Sequence, residues 1–324
     1  MALFPIAFSI PYEKIVKNIQ NKVNIVATFI PNGVGEKTYI YDTEDEYYNE
    51  YKNSLFAITK EKGGWDCMRH YEILACGCIP YFENFENCPV NRLFNFPKNI
   101  ILETNLFYNY LTKKYKINNN NSADQLLFEE INLCYRYINI LLEYTRNYLT
   151  TTSMGKYIVN KTNISVNDNI LFISNQVGGD YLCCLTLHGL KKIFGKKCDE
   201  YPFVPYIYKD CPETNHINYK KLHGRGFTYT KLLEKNEYSN NYTPDEIINN
   251  IKNKKYSIII YSSLHHEKSD DNKHIFIDVV DKYYPNNKIV FLCGEDDHKP
   301  HHLTPICLHP EYTNKGYNCF IREL

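Results

Sequence analysis

The sequence has no surplus of either charge: 37 Lys and Arg stand against 37 Asp and Glu in 324 residues, a formal net charge of zero at pH 7. Without a basic surplus there is no electrostatic footprint for duplex nucleic acid and no polybasic membrane anchor, so nucleic-acid partners are not expected. No apolar run approaches the roughly 20 residues that cross a bilayer. The opening residues 1–10 lack a basic leader and are cut by Pro5, which argues against a signal peptide and for a buried strand. Paired C-x-x-C spacing is missing among Cys67, Cys76, Cys78 and Cys88, so a zinc module is not expected. The twelve cysteines, several inside apolar elements, read as reduced core thiols of a cytoplasmic protein. There is no Gly-x-Ser-x-Gly elbow and no Gly-x-x-x-x-Gly-Lys-Ser/Thr loop, which removes the usual support for hydrolase and phosphate-loop nucleotidase readings. A Rossmann dehydrogenase remains an alternative on fold alone, yet Gly-x-Gly-x-x-Gly is missing after the first strand.

What is present is an ordinary globular composition, 44% hydrophobic and 23% charged, with aromatics supplied mostly by 30 Tyr and 17 Phe. The length suits about two domains. In the first half, residues 3–10 and 23–30 read as strands around a helix-like stretch from Tyr12 to Asn21. Ser54 to Ile58 then predicts a strand, Thr59 to Gly64 a loop, Trp65 to Cys76 a helix ended by Gly77, and Cys78 to Phe82 a strand. Ser122 can cap a long amphipathic stretch from Asp124 to Tyr148. The second half repeats the alternation: strand Ile170 to Ile173, helix Tyr181 to Phe194, a helix opening at Pro244, strand Tyr256 to Tyr261, helix His274 to Tyr284 and strand Lys288 to Cys293. The pattern predicts an α/β protein with two facing, Rossmann-like, doubly wound domains, residues 1–160 and 161–324. Ligands of such sheets bind beyond the carboxyl ends of the strands, so the loops opening at Thr59, Ser174, Ser262 and Gly294 are expected to face one cleft.

The stretch from Lys62 to Glu72 carries the most chemistry. Gly63 and Gly64 at a strand-to-helix turn let backbone amides approach a ligand, and a helix start adds about half a positive charge. Lys62 and Arg69 supply counter-charge for a diphosphate. Arg69 and Glu72 lie three apart on one helical face, so a phosphate-facing guanidinium and a ribose-facing carboxylate can share a crevice. The bland alternative is a glycine turn with a surface Arg–Glu pair. Trp65, the only tryptophan, is either a core plug or aromatic packing beside the ligand.

Gly63-Gly64-Trp65-Asp66, Arg69, Glu72 and the following Ala75-Cys76-Gly77-Cys78-Ile79-Pro80 resemble GT-B-type glycosyltransferases, especially the exostosin-like and spore-coat-like sets and their giant-virus relatives. Weaker likeness extends over most of the chain, including Asp180-Tyr181-Leu182, His188-Gly189-Leu190, Gly224-Arg225-Gly226-Phe227-Thr228 and Arg322-Glu323-Leu324. The resemblance implies a GT-B fold in which this helix closes on a nucleotide sugar, with Arg69 near the diphosphate and Glu72 near the ribose. It also implies a circular permutation, since in that family the half with the Gly-Arg-Gly-Phe-Thr segment comes first. The setting it implies is the host cytoplasm or virion of a large DNA virus.

The expected function is transfer of a sugar from a UDP- or GDP-linked donor to a hydroxyl of a glycan or protein. Lys62, Gly63, Gly64, Trp65, Asp66, Arg69 and Glu72 would line the donor site. Arg225 lies in a Gly-flanked loop that can bind acceptor or phosphate, or can simply turn the chain. Asp180 is the candidate general base, with a helix cap as the competing role. His188, inside the same helix, reads as a packed core histidine. Glu295, Asp296, Asp297, His298, His301 and His302 invite a metal reading, but their spacing matches no zinc signature; the expected site holds no metal and uses no cofactor. A non-catalytic nucleotide-sugar or carbohydrate-binding module would keep Arg69 and Glu72 and lack a working base.

Overall fold

The computed structural model describes residues 1–27, 40–117, 122–174, 179–209, 211–212, 218–262, 274–296, 306–308 and 310–324. The chain begins with β1 (Leu3–Pro5), β2 (Asn24–Val26), α1 (Glu44–Lys52), β3 (Ser54–Thr59), α2 (Met68–Ala75), β4 (Ile79–Phe82), α3 (Lys98–Tyr115) and α4 (Phe128–Tyr148). There follow α5 (Thr151–Thr162), β5 (Ile170–Ile173), α6 (Tyr181–Phe194), β6 (Cys198–Tyr201), β7 (Tyr208–Lys209), β8 (Leu233–Glu234) and α7 (Lys235–Tyr238). The last elements are α8 (Pro244–Lys252), β9 (Ile258–Tyr261), α9 (Ile277–Tyr283), β10 (Ile289–Cys293), α10 (Pro310–Thr313) and β11 (Asn318–Ile321). These form two compact units, Ser9–Thr150 and Met1–Phe8 with Thr151–Leu324.

In the unit Ser9–Thr150, β2, β3 and β4 pair in parallel with β3 central. Every residue of α2 is buried, so this helix is core rather than an amphipathic cover. Gly77, at φ +63°, ends it in the left-handed region, and a side chain there would press on Leu142 and Ile138 of α4. The side chain of Asn105 on α3 extends the sheet by one polar rung: its Nδ2 donates to the Phe82 carbonyl at 2.7 Å, and its Oδ1 accepts from the Phe82 N–H at 3.1 Å. The buried ammonium of Lys22 donates to the Lys52 carbonyl at 2.8 Å and reaches those of Tyr51 and Cys76, placing a cation where α1 and α2 end. The helix expected from Tyr12 to Asn21 is a single turn at Tyr12–Lys14. Tertiary partners take the backbone groups a helix would have used: the Val16 N–H donates to the Ala75 carbonyl, and Arg146 donates to the carbonyls of Val16 and Lys17.

The other unit holds six parallel strands in the order β1-β11-β10-β9-β5-β6, beside a two-stranded parallel pair of β7 and β8. From β5 onward the order is 2-1-3-4-5, that of a doubly wound sheet, and its direction reverses between β5 and β9. One face buries Leu171, Ile259, Phe291 and Cys319 against Ile247 and Ile251 of α8 and Val280 of α9. On the other face α5 sets Tyr157 edge-on to Phe320 at 5.9 Å, and Lys191 of α6 donates to the Cys198 carbonyl at 2.6 Å. Gly155 and Gly189 let α5 and α6 touch backbone to backbone, since a Cβ on Gly189 would lie 2.0 Å from the Thr151 carbonyl oxygen. The unit boundary therefore falls at Thr150/Thr151 rather than near residue 160, because α5 packs on α6. Residues 1–8 also belong to this unit, since β1 pairs with β11 at Leu3↔Cys319. Mostly parallel sheets in an α/β chain agree with the expected class, and the strand order is compatible with a Rossmann-like fold. No disulfide joins any of the twelve cysteines. Among the described residues, no helix is long and apolar enough to cross a membrane.

Candidate functional site

The segment from Thr59 to Glu72 leaves the carboxyl end of β3 and enters α2. It turns where the Lys62 N–H donates to the Gly64 carbonyl at 3.0 Å. His70 pins this turn to the strand from inside: Nδ1 lies 3.0 Å from the Thr59 hydroxyl, and Nε2 lies 2.9 Å from the Trp65 carbonyl. Because a carbonyl only accepts, Nε2 carries the proton and Nδ1 accepts from Thr59. Trp65 is 9% exposed and stands edge-on to Phe85 at 6.2 Å, so most of its surface is core. The helix starts at Met68, three residues later than the sequence suggests, with Cys67 at the cap position. The cap residue's side chain makes no capping hydrogen bond and no acidic residue occupies the first turn, while the buried Asp66 stands directly before the cap.

The charged groups are mostly buried. Asp66 is 1% exposed and accepts from the Tyr71 hydroxyl at 2.6 Å. Glu72 is fully buried and accepts from Tyr47 of α1 at 2.7 Å, while Tyr51 donates to Tyr47 at 3.2 Å. Arg69 is 4% exposed, whereas Lys62 stands on the surface. Lost hydration of its ammonium, with the like charge of Arg69 beside it, lowers the Lys62 pKa to about 8. Burial, aided by the positive fields of Arg69 and Lys62, lowers that of His70 to about 3, so His70 is neutral at physiological pH. Two cations, Lys62 and Arg69, and two buried carboxylates, Asp66 and Glu72, thus meet beside a helix start at the carboxyl end of a parallel strand, with Lys62 feeling both Arg69 and Glu72.

Lys62, Gly63, Gly64, Trp65, Asp66, Arg69 and Glu72 all belong to this one junction. Asp180 and Arg225 lie in the other unit, at the carboxyl end of β5. Asp180 is the cap of α6, its carboxylate accepting from the Cys183 N–H at 2.6 Å. Arg225 stands between Gly224 and Gly226 in a left-handed turn, at φ +57°. Tyr229 ties the two together by donating to the carbonyls of Gly179 at 3.3 Å and His223 at 3.0 Å, and its ring lies 4.6 Å from that of Tyr181. Gly179 has no room for a side chain, since a Cβ would sit 2.7 Å from the Tyr229 ring. This neighbourhood, which joins residues more than forty positions apart, was not legible from spacing.

His188 is buried, with Nδ1 2.8 Å from the Thr151 hydroxyl, as a packed core histidine should be. In the acidic loop Arg322 donates to the Gly294 carbonyl at 2.9 Å and to Asp296. Asp297, His298, His301 and His302 lie outside the described residues, and among those described no cluster of three or more His, Cys, Asp or Glu is arranged to hold a metal. Thr59, His70, Tyr71 and Tyr47, which hold the junction in shape, were missed by sequence reasoning. The Thr43-x-x-Glu46 capping box, realised in the structure, was the signal that could have placed Tyr47 on a helix. No protein-family model matches the chain, and no curated protein and no solved structure is significantly similar to it.

Proposed function

We propose that this chain is a glycosyltransferase of the GT-B type, with two facing Rossmann-like halves, that moves a sugar from a UDP- or GDP-linked donor to a hydroxyl of a glycan or protein. The observation that carries the reading is the approach of Lys62 and Arg69 beside the uncapped start of α2. Sugar transfer develops negative charge on the departing diphosphate, and preorganised cations with backbone N–H groups stabilise that charge most when it is fullest. Lys62 and Arg69 take this role without a resident metal. Gly63 and Gly64 let the backbone approach and Trp65 and Asp66 shape the turn, while Glu72, expected to face the ribose, is fully buried under Tyr47 and braces α2 from inside instead. The acceptor must lose a proton as it attacks, and Asp180 beside the Arg225 turn is the proposed base.

A second reading, a nucleotide-sugar-binding module without turnover, is favoured by one observation: the carboxylate of Asp180 is already engaged as a helix cap. Incubation with UDP- and GDP-sugars, followed by NMR for release of free sugar, separates the two. The enzyme reading expects slow hydrolysis that Arg69→Ala abolishes. Tight binding without release supports the module. Failure of every nucleoside diphosphate to bind overturns both.

A further inference from the structure

Leu102, Leu106 and Tyr110 recur every four residues along α3 and are 39%, 72% and 49% exposed. Four-residue spacing advances only about 40° around a helix, so the three form one stripe roughly 12 Å long. The start of α4 is tied to the end of this stripe through Glu130. Tyr110 donates to Glu130 at 3.2 Å, Glu130 accepts from the Leu127 N–H at 3.0 Å, and the next residue, Phe128, is 75% exposed. Aromatic side chains carry about 150–250 Å² each, so with the leucines the patch presents on the order of 500 Å² of apolar surface. That is about the apolar share of one side of a standard interface, which buries ~800 Å² per partner at slightly over half non-polar.

The charges flanking the stripe are self-complementary. Glu103 lies toward the start of α3 and Lys113 toward its end, both exposed. They are about 15 Å apart along the axis. A twofold axis midway between Leu106 and Tyr110 would lay α3 antiparallel on its own copy, with Leu106 against Tyr110 of the second copy and Glu103 level with its Lys113. Helix dipoles would oppose favourably in the same arrangement. We propose that this face, α3 with the start of α4, is a homodimer interface whose occupant is a second copy of this chain, paired antiparallel through α3. It does not depend on what the Lys62–Glu72 junction binds.

Sedimentation velocity of the full chain over a concentration series tests this. Wild type is expected to dimerise in the micromolar range, and Leu106→Glu to raise the dimer Kd at least about tenfold with unchanged far-UV circular dichroism. Glu103→Lys and Lys113→Glu should each weaken the dimer, and the two together should restore it, because the swap re-creates the opposite pairing. A wild type monomeric at ~200 µM overturns the proposal. So does a dimer indifferent to Leu106→Glu, or a double swap no tighter than the single variants. A monomer that instead binds phosphatidylserine vesicles through Leu106 also overturns it, and assigns the face to membrane.

Discussion

The carboxylate of Asp180 accepts a 2.6 Å hydrogen bond from the backbone N–H of Cys183, and so closes the first turn of α6 at the carboxyl end of β5. Ligands of doubly wound sheets bind beyond the carboxyl ends of parallel strands, so the proposed role of base and the observed role of cap fall on one carboxylate. Structure and chemistry make separable demands on this carboxylate, because an amide oxygen caps a helix nearly as well but takes up no proton.

Asp180→Ala should therefore lose about 1 kcal/mol of stability, while Asp180→Asn should unfold at the wild-type temperature. If the same carboxylate is the base, Asp180→Asn slows transfer by roughly 10²–10⁴-fold with nucleotide-sugar affinity unchanged. Full activity in Asp180→Asn leaves the residue a cap alone. Thermal melts and initial rates on the two variants decide this.

His70 gives the protein an acid-sensitive joint. Burial first, then the fields of Arg69 and Lys62, hold its pKa near 3, against about 6.5 for an unfolded histidine. The unfolded chain takes up the proton first, so this histidine's contribution is complete above pH 6.5 and is lost as pH falls toward 3. Stability should decline by up to about 1.4 kcal/mol per pH unit across that window. His70→Gln, which does not titrate, should be less stable at pH 7 and show a shallower decline in urea titrations between pH 6.5 and 4. An equal slope in both proteins would assign the acid sensitivity to other groups.

Gly189 should tolerate no side chain. A Cβ there meets the Thr151 carbonyl oxygen at 2.0 Å, and the obstacle is backbone, which cannot rotate aside. Gly189→Ala is expected to cost about 3 kcal/mol or more, whereas Ala at Gly195, whose Cβ would meet nothing within 4 Å, carries only the strain of its positive φ. Chemical denaturation of the two variants measures the difference.

How far the sequence reveals this protein depends on where the partners of each segment lie. The β3–α2–β4 run and the β5–α6 pair were readable because their signals are local: a buried apolar run, a glycine stop, a second run. Gly77 and Gly195 end their helices as expected, both at positive φ. The stretch 12–21 misled because its amphipathic spacing is satisfied by Ala75 and Arg146 instead of by its own turns. The helices α1, α3 and α5 drew no expectation, although α1 carries a complete capping box. Placing β1 needs its pairing with β11 at the far end of the chain, which no local pattern encodes. At the candidate site the spacing of Arg69 and Glu72 was legible. The burial of Glu72 under Tyr47 and the His70 latch were not, because each depends on a second element folding against the first.

Titration calorimetry of UDP and GDP into the wild type and Lys62→Ala, at pH 7 and pH 9, tests the proposed diphosphate site directly. Lost hydration and the neighbouring Arg69 set the Lys62 pKa at about 8, so the ammonium is mostly charged at pH 7 and mostly discharged at pH 9. A bound diphosphate restores the proton, and binding near pH 8 should therefore take up protons, visible as a dependence of the heat on buffer ionisation. Removing Lys62 relieves a charge that the folded state disfavours beside Arg69, so the melting temperature of the free variant should not fall. The expected result is binding at pH 7 that weakens at pH 9, and that Lys62→Ala weakens by roughly 1.5–3 kcal/mol while removing the pH dependence. Absence of binding by either nucleotide, or binding that is the same in Lys62→Ala and at both pH values, is incompatible with a diphosphate held at the end of β3.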